Sequence, residues 1–132
     1  MEPTMDKAKR ERMKCQKKNA LLKIRYYEKH GPKSYGKERQ MEDIWARMRY
    51  EYDKLLIKAI DEDLELYEKL MEWGNNCYNK IPKIRLTAVI IASNGQKMRA
   101  TELTDEEMVI ARKIANEKVD EWLNDFKTEI AS

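Results

Sequence analysis

Lys7, Arg10, Lys14 and Lys18 recur at intervals of three, four and four residues. That spacing puts side chains on one face of a helix. A row of cations of this kind can follow a phosphate backbone, each contact releasing counterions from the polyanion. Arg25 extends the row, and Tyr26 and Tyr27 beside it are suited to stacking on a base or donating a hydrogen bond to a phosphate. These residues are the candidate nucleic-acid contacts. A solvated lysine-rich helix has a similar composition. The concentration of charge argues for more: residues 1–40 hold thirteen Lys/Arg against five Asp/Glu, a net of +8, within a chain whose total is only +3.

A second charged feature lies downstream. Arg47, Glu51, Lys54, Lys58, Asp61, Glu65, Glu68 and Glu72 follow one stripe at helical spacing, and the stripe turns wholly acidic from Asp61 onward. Asp61, Glu65, Glu68 and Glu72 form an alternative partner-binding surface. It can imitate a phosphate backbone or pair with a basic arm, either residues 7–25 of the same chain or the arm of another copy.

Other chemistry finds little support. His30 is the one histidine, set between Lys29 and Gly31 in a helix-ending turn. Consecutive Asp61, Glu62 and Asp63 point in different directions on a helix, which does not build a metal site. The glycines are isolated, so no phosphate-cradling loop is present. Cys15 and Cys77 are far apart in sequence with no His/Cys cluster near either, and are read as reduced thiols. The expectation is a non-enzymatic protein with no metal and no cofactor.

These residues must be positioned by a framework, and 132 residues suffice for one domain. With 39% charged residues and a mean hydropathy of −0.88, its core is lean. Four Gly, three Pro and one Phe describe a chain rich in helix. The expected class is mostly α with an α+β element. It divides into a basic N-terminal arm and linker (1–36) and a helix–hairpin–helix body (37–132).

In the arm, residues 6–29 favour helix by composition. Before Met13 there is little to bury, and cations at a helix N-terminus oppose its dipole. The first dozen residues are therefore expected to fray. His30-Gly31-Pro32 ends the helix. In the body, an apolar stripe through Met41, Trp45, Met48, Tyr52, Leu56, Ile60, Leu64, Tyr67 and Met71 predicts one amphipathic helix over 37–73. It would be about 55 Å long and would end at Gly74-Asn75-Asn76. Something must cover that length, and a homodimer along the helix is one solution.

Residues 84–92 are apolar and β-branched, Asn94-Gly95 follows, and 97–101 come next. This pattern predicts a β-hairpin with a type I′ turn. Thr104 and Glu107 form a capping box for a C-terminal helix to about residue 130, with Met108, Ala111, Ala115, Val119, Trp122, Phe126 and Ile130 as its stripe. Trp45, Leu55, Leu64, Ile91, Ala115 and Trp122 are expected in the core. No run approaches the roughly 20 apolar residues of a membrane span, and the first 19 residues carry no secretory pattern, so an intracellular, cytoplasmic protein is expected.

The leading expectation for function is a nucleic-acid or nucleoprotein accessory factor. The alternative is a protein-binding regulator or inhibitor that uses the acidic face or the basic arm. A phage or mobile-element protein that blocks a nucleic-acid enzyme is one example.

Overall fold

The computed structural model describes residues 6–32 and 38–131, and side chains at 6–32, 38–75 and 79–128. The expected 32–36 linker, except Pro32, and the side chains of Cys77 and Ile130 lie outside these. Among the described residues the chain is four α-helices: α1 Lys7–His30, α2 Glu42–Glu62, α3 Leu64–Ala92 and α4 Asp105–Ala131, with short 3₁₀ turns at Glu38–Gln40 and Ala100–Glu102. The described residues contain no strand.

α1 starts where its composition placed it. The helix begins at Lys7, because the Asp6 carboxylate accepts from the Ala8 N–H at 3.0 Å. That cap supplies the negative charge a basic first turn lacks. Met13 and Ala20 are buried against the body and hold the rest of the helix.

The single 37–73 helix is corrected. It breaks at Asp63, whose backbone is extended at φ −155° and ψ 99°. Asp63 ends α2 by donating its N–H to the Ala59 carbonyl at 2.9 Å. Its side chain then caps α3, accepting from the Glu65 and Leu66 N–H groups at 3.1 and 3.2 Å. The reason is local. Asp61, Glu62 and Asp63 are three acids at the negative end of a helix dipole, and Asp is a strong N-cap and a weak helix former. The break leaves Leu64 about half exposed, so it does not join the core. The 55 Å rod was the ground for a homodimer, and that ground falls with it.

Gly74 does not end a helix. It lies inside α3 where α2 comes closest: a Cβ there would sit 2.7 Å from the Tyr52 hydroxyl oxygen. Tyr52 in turn donates to the Leu70 carbonyl at 3.2 Å and stacks on Trp73. The glycine is needed for close packing, and α3 runs on past it and through Pro82.

The β-hairpin is the largest correction. Residues 84–92 are the last turns of α3. Ala88, Val89 and Ala92 are buried beside partly buried Ile81 and Ile84, a helical spacing that faces α4. Ile91 points outward instead. Asn94 and Gly95 do take positive φ, at 53° and 81°, but to close a helix. The Gly95 N–H donates to the Ile90 carbonyl at 2.8 Å. Ser93 secures the exit by donating to the Val89 carbonyl and accepting from the Lys97 N–H.

α4 starts as expected. The Thr104 hydroxyl accepts from the Glu107 N–H at 3.1 Å, and Glu107 accepts from the Thr104 N–H at 2.9 Å. Lys97 bonds the Glu107 carboxylate at 2.5 Å, which with the Thr104 bond holds that carboxyl below its usual range. Ala115 and Trp45 are buried as expected, while Trp122 and Leu55 are only partly buried.

Packing makes α2 the central helix. Its first half joins α3 and α4 in one apolar cluster around Trp45, Val89 and Val119. Its second half joins α1, α3 and Phe126 of α4 in another, around Leu56 and Leu70. The seam between α2 and α4 is pinned by Arg112. Its guanidinium grips the Asp43 carboxylate through both nitrogens and donates to the Glu38 carbonyl at 3.0 Å. Asp53, also on α2, is buried without such a partner. Burial pushes its carboxyl up to about 6, against the opposing pull of Lys23 and Arg49.

Two predictions follow from this packing. Gly74→Ala improves helix propensity by about 1 kcal/mol but overpacks against Tyr52, which costs about 1–3 kcal/mol. Urea melts should show net destabilisation, and a stabilised variant would refute the close approach. In a Tyr52→Ala background the same replacement should stabilise. The second concerns Asp53. The folded chain keeps its proton to about pH 6, whereas an unfolded Asp releases it near 3.9. Folding takes up a proton in that window, so Asp53's contribution to stability declines as pH rises through it. Asp53→Asn removes the decline. Thermal melts should show the variant gaining on the parent from about pH 4 to pH 6.5, and a constant difference would contradict the burial.

Candidate nucleic-acid interface

α1 divides into faces of different chemistry. Met13, Ala20 and the half-buried Tyr27 turn toward the body, where Tyr27 stacks on Tyr50 with centroids 4.3 Å apart. Loss of solvent raises the Tyr27 phenol above its ordinary pKa, the Arg47 charge opposing. Lys9 and Lys17 flank this docked face. Lys9 pairs with Glu68 on α3, and Lys17 with Asp61 on α2 at 2.5 Å. The helix break at Asp63 lies between those two carboxylates.

Lys7, Arg10, Lys14, Lys18 and Arg25 occupy the outer face, and all are exposed. From Lys7 to Arg25 the row is about 27 Å long. Lys14 approaches Glu11 only at 4.0 Å. Lys7, Arg10, Lys18 and Arg25 meet no carboxylate among the described residues. Leu21 and Leu22 interrupt the cations, and with Lys14, Lys17, Lys18 and Arg25 they line a shallow surface groove. The tyrosines do not join this row. Tyr27 is on the docked side, and exposed Tyr26 lies against the His30 ring at 4.3 Å.

The acidic surface is divided. Asp61 belongs to the last turn of α2, whereas Glu65, Glu68 and Glu72 belong to α3, so the four do not form one continuous helical stripe. Asp61 and Glu68 meet lysines of α1, which is the intramolecular form of the arm-to-acid pairing. Glu65 and Glu72 are exposed.

Part of the basic surplus is structural. Arg39 donates to the Leu103 carbonyl at 2.8 Å and pairs with Asp105. Arg47 bonds Asp120 and Asn116 on α4. Sequence reasoning missed both because their partners lie more than sixty residues away. Among the described residues no three His, Cys, Asp or Glu side chains come close enough to hold a metal ion. Among them, too, no helix is long and apolar enough to cross a membrane. Cys15 is an exposed free thiol.

No family model matches the chain, and no curated protein or solved structure shows significant similarity to it.

The two exposed ion pairs that flank α1 contribute little, about 0–1 kcal/mol each. Replacing Lys9 and Lys17 together by Gln should lower the free energy of unfolding by no more than about 2 kcal/mol. The loss should shrink in about 1 M salt, where exposed pairs are screened. A larger, salt-independent loss would mean that the pairs, rather than Met13 and Ala20, hold α1.

Proposed function

We propose that the chain is a non-enzymatic binding protein that engages nucleic acid through the outer face of α1. One observation carries the reading. The lysines on the docked edge of the helix are matched by carboxylates, while Lys7, Arg10, Lys18 and Arg25 stand on the outer face without one among the described residues. A helix that needed cations only for docking has no use for the outer row. Its length of about 27 Å corresponds to about eight phosphates along one strand of a duplex. Contacts of this type read charge and spacing, so the expected binding is weakly selective for sequence.

The regulator reading draws less support. Two of its four carboxylates already meet lysines of the same chain, and the helix break separates Asp61 from the other three.

The test is fluorescence anisotropy with labelled duplex and single-stranded DNA and RNA at about 50–200 mM salt. Replacing Lys7, Arg10, Lys14 and Lys18 by Gln should reduce the slope of log K against log salt by about 3–4 on duplex DNA. Affinity should fall nearly equally on all sequences. Replacing Asp61, Glu65, Glu68 and Glu72 by Asn or Gln should tighten binding, because Lys9 and Lys17 are released to the ligand. No binding at about 50 mM salt, or a slope that the fourfold variant leaves unchanged, refutes the proposal. Loss of partner binding on acidic replacement would favour the regulator.

A further inference from the structure

A cavity of about 260 Å³ opens where α1, α2 and α3 meet, on a different flank of α1 from the basic row. At about 30 Å³ per water it has room for roughly nine waters, the size of a bicyclic ring rather than of a peptide. Trp73 and Leu56 supply apolar wall. Asp53 lies in the lining at only 8% exposure, and its carboxylate accepts no hydrogen bond from the described residues. Arg49, one helical turn before it and exposed, closes no ion pair with it.

The Asp53 oxygens open onto the cavity, where water or a ligand supplies the hydrogen bonds such a carboxylate needs. Gln16 is likewise under-used: its amide nitrogen donates only to the Met71 sulfur, at 3.6 Å, while its oxygen accepts from the Tyr67 hydroxyl at 2.6 Å. The lining therefore combines a strong acceptor, an under-used donor, apolar walls and an exposed cation, Arg49, one turn from the acceptor. The matching ligand is flat, presents a pair of adjacent N–H donors, carries an acceptor elsewhere on the ring and ends in an anion. Among nucleobases, guanine fits this description. Its N1–H and N2 amine lie side by side and meet both carboxylate oxygens. Adenine would turn a ring nitrogen toward the carboxylate, acceptor against acceptor.

We propose that this cavity is a binding site for a guanine mononucleotide, with Asp53 accepting from the N1–H and N2 amine and Arg49 meeting the phosphate. The site does not depend on the nucleic-acid reading of α1, since it uses none of the outer-row residues.

Calorimetric titration of the full chain with GMP, IMP, AMP and guanosine tests it. GMP should bind. IMP, which lacks the N2 amine, and AMP should bind about tenfold more weakly or worse, as expected for loss of one member of a bidentate pair. Asp53→Asn should weaken GMP by a similar factor while the helical circular dichroism is kept. Arg49→Gln, an exposed replacement, should weaken GMP but not guanosine. The comparison among ligands needs no variant, so it stands even where Asp53→Asn disturbs folding. The proposal is overturned if GMP gives no heat at about 1 mM, if AMP or IMP binds as well as GMP, or if a folded Asp53→Asn binds GMP unchanged.

Discussion

Asp63 determines how the charged surfaces of this protein meet. One residue in extended conformation both ends α2 and caps α3. That junction sets the direction and rotation with which α3 leaves α2. It puts Asp61 and Glu68 on either side of the break, where Lys17 and Lys9 reach them. An uninterrupted helix would carry those carboxylates on one straight stripe along the rod. The break lets α3 fold back to close the lower cluster around Leu70 and gives α1 a surface to lie on.

What was legible in the sequence depended on whether a signal had one meaning or two. The Thr104/Glu107 box has one, and it begins α4 as its chemistry requires. The stripe from Met108 to Phe126 has one as well, although Leu123 takes the fully buried place beside a partly exposed Trp122. Asn94-Gly95 has two. Positive φ at successive residues suits a type I′ turn and also a helix C-cap. The apolar run before it lacks polar interruptions and so shows neither period cleanly. Packing against α4 decides between them, and a local pattern does not contain that contact. Gly74 is a similar case. A glycine followed by two asparagines marks a helix end, yet the Tyr52 ring pressing on it from α2 is a non-local fact.

The same distinction applies to charge. The +8 of residues 1–40 overstates what is available to a ligand, since Lys9, Lys17 and Arg39 are engaged by carboxylates of the body. Periodicity nevertheless sorts them. Lys9 lies on the face of Met13, Lys17 at its edge, and Lys7, Arg10, Lys14, Lys18 and Arg25 on the outer one. The row was legible because it depends on helical geometry alone. Its lack of partners was not, because that depends on where α2 and α3 lie.

α1 is held against the body by two buried side chains, Met13 and Ala20, by the Lys9 and Lys17 ion pairs, by the Tyr67–Gln16 hydrogen bond and by the Tyr27–Tyr50 stack. The larger core cluster forms without it from α2, α3, α4 and the turn before α4, while the second includes its Met13 and Ala20. Its composition fits that division of labour. The outer face is cationic, while Gln16, Asn19 and Lys23 line the cavity beside Asp53. α1 therefore completes the second apolar cluster through Met13 and Ala20 and also shuts Asp53 away from bulk water, a gain in packing set against the cost of burying that carboxylate.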